Sequence, residues 1–148
     1  MTDEYRATSE DAIAKVLDRL AFNGEGLIGA VAQQFDTGEV LMFAWMDRAA
    51  VAETLKSGRV CYWSRSRRKL WRKGERSGQE QRLVELRFDC DSDALLLQVD
   101  QLGVACHTGR RSCFFTAYRN GKLETVAEIT VDPKTLYGEE EAIQAGSP

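Results

Sequence analysis

DCDSDALLLQVDQLGVACHTGRRSC, residues 89–113, is the stretch on which the reading of both fold and chemistry turns. It holds three of the four cysteines, the only histidine, three aspartates at alternate positions and an Arg-Arg pair. The apolar run at residues 94–99 separates its two polar ends and reads as a strand. If residues 89–93 are extended as well, Asp89, Asp91 and Asp93 share one face and Cys90 points to the other. Three carboxylates on one face repel each other unless a hard cation or bound water offsets them, which suggests Mg2+. A thiolate on the opposite face suits a softer ion such as Zn2+. Cys106 and Cys113 could close that second site from a loop, giving three thiolates and an open position for water. An EF-hand reading of D-x-D-x-D fails, because Ala94 stands where glycine is needed and Asp100 where a bidentate glutamate belongs.

Taken singly these signals are weak. Buried thiols are common core residues, D-x-D-x-D is often a solvated turn, and C-x15-C-x6-C is less specific than paired C-x2-C knuckles. Their density, ending in CHTGRRSC, points to a site.

Outward from this stretch, the chain of 148 residues is long enough for one domain with a real core, and we expect a single domain over residues 1–148. Hydrophobic and charged contents of 43% and 29% are those of an ordinary globular protein. No apolar run approaches a membrane span and the first residues are acidic, unlike a signal peptide, so a cytoplasmic protein without a membrane partner is expected. Cysteines in that setting are thiols or ligands rather than disulfides. A net charge of -3 offers no general attraction to nucleic acid. The charge is uneven, however. Arg65, Arg67, Arg68, Lys69, Arg72, Lys73 and Arg76 crowd one segment against Glu75 alone. Such a cluster on an acidic chain suits a small phosphorylated ligand, with a solvated basic hairpin as the plain alternative. Trp71 among these cations also fits single-stranded nucleic acid, a reading that ranks behind phosphate because there is only one such patch.

Along the chain, residues 8–20 form an amphipathic helix with Thr8 and Asp11 at its start and Ile13, Val16, Leu17 and Leu20 on one stripe. Residues 27–35 and 40–46 read as a hairpin around Asp36-Thr37-Gly38-Glu39, the second strand apolar on both faces and central, with Trp45 and Met46 in the core. Asp47 caps a second helix that carries Val51 and Leu55 inward and stops at Gly58. Residues 60–64 return to strand with Cys61 as a buried thiol. Residues 81–88 alternate, with Val84, Leu86 and Phe88 on one side. Residues 114–119 form a strand that Asn120-Gly121 turns back onto residues 123–131. The tail from about residue 132 is acidic and expected to be partly disordered. The class is α+β, with a largely antiparallel sheet and two or so helices.

The motifs TGEVLMFAWM (37–46), YWSRSR (62–67), KLWRKGERSG (69–78), FDCDSDALLLQV (88–99) and GVACHTGRRSCFF (103–115) together resemble the phosphoribosyl-AMP cyclohydrolase family. The likeness spans residues 27–118, within a core of about residues 21–120. It leaves out the first helix, to about residue 20, and the acidic tail at residues 132–148. It implies hydrolysis of phosphoribosyl-AMP at the N1–C6 bond of its adenine, the third step of histidine biosynthesis, by an intertwined homodimer. Relatives that add a C-terminal pyrophosphatase domain are longer, so a monofunctional chain is expected.

The resemblance also assigns residues. Cys90 of one subunit would join Cys106 and Cys113 of the other on Zn2+, and Asp89, Asp91 and Asp93 would hold Mg2+. A zinc site of that kind activates water, and zinc deaminases attack a purine C6 similarly. Their H-x-E and P-C-x-x-C signatures are absent here. His107, next to a ligand cysteine, is the expected general base, with a loop-orienting role or a fourth zinc ligand as alternatives. Ser64, Arg65, Ser66 and Lys73 are expected to grip one phosphate, and Arg110, Arg111 and Ser112 the other. Gly29 and Gln79 depart from the family pattern, in which proline and histidine or asparagine are common. Two further classes stand beside the enzyme: a zinc-stabilised RNA-binding module, and a plain domain with buried thiols and no metal.

Overall fold

A computed structural model describes residues 6–137, and the acidic run Glu139-Glu140-Glu141 lies outside them. The chain is α+β, built on a six-stranded, mostly antiparallel sheet. In chain order its elements are α1 (Glu10–Arg19), β1 (Ile28–Gln34), β2 (Val40–Met46), α2 (Arg48–Ser57), β3 (Cys61–Ser64), β4 (Lys69–Arg72), β5 (Gln81–Phe88) and β6 (Ala94–Gln101). A separate hairpin, β7 (Thr116–Arg119) and β8 (Lys122–Thr125), and a short α3 (Pro133–Tyr137) follow. The sheet order is β4-β3-β2-β1-β6-β5, parallel only where β1 meets β6.

Period-two patterning sets the two faces. Ile28, Ala30 and Ala32 of β1 sit beside Met46, Ala44 and Met42 of β2, and β6 adds Leu95 and Leu97. Against this face pack Ile13 and Leu20 from the α1 region and Val51 and Leu55 of α2, in one continuous core. Fully burying a Leu or Ile stabilises by about 1.5–3 kcal/mol, so these contacts dominate the fold. The opposite face is apolar too, but open. Phe43 is 47% exposed, and Val31, Trp45 and Leu96 are only partly covered. Trp45 therefore belongs to an outer face rather than to the core; Phe43 meets it edge-on and Arg65 lies over its ring. Gly29 belongs to this face as well, since a Cβ there would come within 2.8 Å of the Phe43 ring.

Local signals account for most element ends. Asp47 accepts from the Ala50 N–H at 2.8 Å and Gly58 closes α2 in the left-handed region. Asn120 and Gly121 both take positive φ, as a type I′ turn requires. Several expectations need correction. Ser9, not Thr8, caps α1, through the Ala12 N–H. The basic stretch needs no such change, since the hairpin named as its plain alternative is present as β4 paired antiparallel with β3. A bulge between Leu83 and Glu85 breaks the alternation of β5, so Leu83 is buried and Val84 is exposed. The start of the supposed disordered tail is α3, where Asp132 takes the Lys134 N–H and Leu136 is buried.

Candidate active site

The cysteine loop follows β6 and doubles back on itself. Ala105 and Cys106 N–H groups donate to the Arg111 and Arg110 carbonyls, and Gly109 N–H donates to the Cys106 carbonyl. Gly109 has φ 86° and sits so close to Val131 that a Cβ would lie 1.8 Å from its carbonyl oxygen. The end of the loop docks on β2, where Cys113 N–H donates to the Leu41 carbonyl at 2.7 Å and Ser112 Oγ to that of Val40 at 2.7 Å. Arg111 bonds Glu39 and the Gly103 carbonyl, while Arg110 donates to the Ala127 carbonyl and covers the Phe115 ring at 4.1 Å. In this arrangement Arg110, Arg111 and Ser112 are engaged in holding the loop's shape.

That shape brings Cys106 and Cys113 together. A hydrogen bond from Cys113 pushes the Cys106 thiol down to about 5, against the effect of desolvation, and Thr108 Oγ1 donates to the same sulfur at 3.0 Å. The same shared hydrogen bond pushes Cys113 upward. The two sulfurs, held together by the loop, are a soft donor pair suited to Zn2+. Thr108 was not foreseen, although a hydroxyl two residues after a cysteine is a readable signal.

Both sulfurs and His107 line a cavity of about 630 Å³. Its other wall is the basic stretch: Arg67, Lys69, Trp71, Lys73, Gly74 and Ser77. Trp71 also packs on buried Tyr62, with ring centroids 5.2 Å apart. Lys73 points to the cysteine loop and donates to the Ala105 carbonyl at 2.6 Å. Ser64 Oγ takes the Arg67 N–H and approaches Ser66 Oγ at 3.4 Å, bracing the turn between β3 and β4. Arg65 faces away, into a separate polar pocket with Glu25, Asp47 and Arg68. Gln79 joins the two walls, since its Oε1 takes the Val104 N–H at 2.9 Å. Beneath it Gln101 Nε2 faces the Gln79, Glu80, Leu102 and Val104 carbonyls, and Gln81 and Tyr62 continue the buried chain of hydrogen bonds.

The carboxylates lie elsewhere. Residues 89–93 are not extended but form the turn between β5 and β6, with Ser92 at φ 62°. Asp89 Oδ1 takes the Asp93 and Ala94 N–H groups. The argument from alternation is therefore wrong, yet the three carboxylates still converge, their oxygens within 4.8 Å of one another. Hydrogen bonding to Asp91 and Asp89 raises Asp93 to about 6. Desolvation pushes Asp89 up, but hydrogen bonds from Asp93 and the backbone outweigh it and hold Asp89 below the ordinary range. An exposed oxygen cluster strained by its own charge is a donor set for a hard cation such as Mg2+. Cys90, exposed, belongs to this turn. The eight residues of β6 separate it from the cysteine loop, about 26 Å at the usual strand rise. Cys61 stands apart from both places, fully buried, its thiol pushed up to about 11 by burial.

A cleft that gathers a thiol pair, a histidine and a basic wall on an α+β frame is the build of an enzyme, and the relatives place it among the hydrolases. Residues 42–115 match the family described as phosphoribosyl-AMP cyclohydrolase. A phosphoribosyl-AMP cyclohydrolase of Granulibacter bethesdensis is 63% identical over 127 residues, covering 85% of this chain and 99% of that protein. Those of Alkalilimnicola ehrlichii and Rhodospirillum centenum are 65% and 64% identical, over 91% and 80% of this chain and 95% and 90% of their own. The chain belongs to the phosphoribosyl-AMP cyclohydrolase family.

Proposed function

We propose that this chain opens the adenine ring of phosphoribosyl-AMP, the substrate in its relatives' names, as the third step of histidine biosynthesis in the cytoplasm. Water adds at C6 and the N1–C6 bond breaks, leaving a carboxamide at C6 and a protonated ring nitrogen. The observation that carries this reading is the meeting of Cys106, Cys113 and His107 in one cavity with a basic opposite wall. Cys106 and Cys113 would hold Zn2+ together with Cys90 of the partner subunit, and Asp89, Asp91 and Asp93 would hold Mg2+. When bound, Zn2+ supplies the Lewis acidity that brings the pKa of water near neutrality. His107 takes the proton as water attacks and returns it to the departing nitrogen. Trp71 offers a face for the purine, and Arg67 and Lys69 a charged wall for a phosphate. Ser64 and Ser66 support this wall from the turn between β3 and β4, whereas Arg65, turned into the separate pocket, is left out of the phosphate contact in this reading. Arg110, Arg111 and Ser112 shape the cysteine loop in this reading instead of gripping the second phosphate.

A homodimer is part of the proposal. Two observations support it: β6 runs between the turn that carries Cys90 and the cysteine loop, and the open apolar face around Phe43 is the kind a second copy covers. No helix among the described residues is long and apolar enough to cross a membrane. A turnover assay with phosphoribosyl-AMP, with and without a zinc chelator, tests the reading. We expect activity to fall to background on chelation and in Cys106→Ala. No turnover by the folded, zinc-loaded, Mg2+-supplied protein would overturn it.

A further inference from the structure

Among the described residues, Lys73 is the one charged side chain in the buried set, 6% exposed. It leaves the end of β4 with its backbone N–H fixed to the Val60 carbonyl, and its ammonium crosses to the cysteine loop. There it donates to the Ala105 carbonyl at 2.6 Å and lies 5.9 Å from the centre of the Trp71 ring. An ammonium is strongly hydrated, and one neutral carbonyl with an aromatic face does not replace that water. Burial depresses its basicity, while Cys113 and Cys106 are the charges that act on it in the opposite sense. A buried cation is tolerated when paired, and Cys106 and Cys113 line the same cavity as Lys73.

We propose that Lys73 is a positioning residue of the metal centre, a fixed countercharge that holds the Cys106 loop and offsets the thiolates, and not a phosphate ligand. The inference rests on the reading of Cys106 and Cys113 as zinc ligands. Three thiolates on a divalent ion leave one net negative charge, and a single buried ammonium balances it. The Ala105 carbonyl, one residue before Cys106, gives the same side chain a grip on the direction from which that sulfur enters the cavity.

Lys73→Gln tests this, because glutamine keeps a donor for the Ala105 carbonyl and removes the charge. Zinc affinity is measured by competition with a chromogenic chelator, and KM for phosphoribosyl-AMP on zinc-saturated protein. The expected result is a loss of about 10- to 100-fold in zinc affinity, the range for residues that support metal ligands, with KM unchanged. Lys73→Arg keeps the charge and should retain most of the affinity. Unchanged zinc affinity in Lys73→Gln would overturn the inference, and with a raised KM would return Lys73 to phosphate binding. An equal loss in Lys73→Arg would put the effect on packing and overturn it too. Cys106→Ala run alongside separates the layers. If it binds zinc as tightly as the wild type, the zinc reading itself fails, whereas loss there with none in Lys73→Gln defeats only the role of Lys73.

Discussion

At the start of β6, Asp89, Asp91 and Asp93 crowd into an exposed turn, whereas at its end Cys106 and Cys113 lie in a loop fastened from several sides. The cysteine loop is organised by the chain itself. Its carbonyls and N–H groups are taken up by Gln79, Gln101, Lys73 and Arg111, and hydrogen bonds within its own backbone fold it over. The carboxylate turn has its backbone held by Asp89 and Ala21, while its three carboxylates crowd one another. One end is therefore held in shape by the chain itself, whereas the other is a cluster of like charges crowded into an exposed turn. Cys90 sits in the turn before β6, and Cys106 and Cys113 in the loop after it.

The largest expected effect comes from splitting the two ends between copies. Cys90→Ala and Cys106→Ala are each expected to lack activity alone. If the sites are shared across subunits, a heterodimer carries one doubly damaged site and one intact site. Equal mixing of unfolded variants and refolding should then restore about a quarter of wild-type turnover. No recovery, with dimers shown to have exchanged, would place all zinc ligands in one copy and break the comparison.

A smaller effect is expected at the carboxylate turn. In chelated protein Asp93 should titrate with a midpoint of about 6, against an ordinary 3.8, chiefly through its hydrogen bond with Asp91. The raised value means the folded chain holds this proton more tightly than the unfolded one. Its stabilising contribution is therefore present below pH 3.8 and lost as the pH rises through about 6. Carboxyl-carbon NMR reads the midpoint directly. Asp91→Asn should bring Asp93 back toward the ordinary range, and Mg2+ should do the same in the wild type by displacing the shared proton. A midpoint near 4 in the chelated wild type would show that the three groups do not repel as described.

What could be read from the sequence divides along physical lines. Elements fixed by neighbours in the chain were legible: the Asp47 and Gly58 caps of α2, the β1–β2 hairpin, and the Asn120-Gly121 turn. The turn at residues 89–93 was legible only as the plain alternative to a strand, because D-x-D-x-D looks alike in a strand and in a loop whose first aspartate captures its own backbone. Val84 misled for a related reason, since a bulge reverses the alternation without leaving a mark in composition. The contacts of Arg110, Arg111 and Ser112 were hidden because several of their acceptors are backbone carbonyls, at Ala127, Gly103 and Val40. Charge is visible in a sequence; the atom that will occupy it is not.

Cys61 supplies the smallest expected effect and a control on the whole comparison. It belongs to neither end of β6: it is fully buried in β3, its N–H bonded to Thr54 Oγ1 at 2.9 Å and its sulfur facing the Arg59 carbonyl. Burial raises its thiol from 9.0 to about 11, so it stays protonated near neutrality and offers no thiolate to a metal. Cys61→Ala should leave zinc stoichiometry and turnover unchanged and cost about 1 kcal/mol of stability through lost packing. The raised value also predicts a pH signature, because the folded chain binds the extra proton. Stability contributed by this thiol is complete below pH 9.0 and fades as the pH climbs through about 11, and thermal melts of wild type and Cys61→Ala should converge over that interval. Loss of zinc from Cys61→Ala would mean that burial does not separate the inert thiol from the reactive pair, and the contrast drawn among the cysteines would fail.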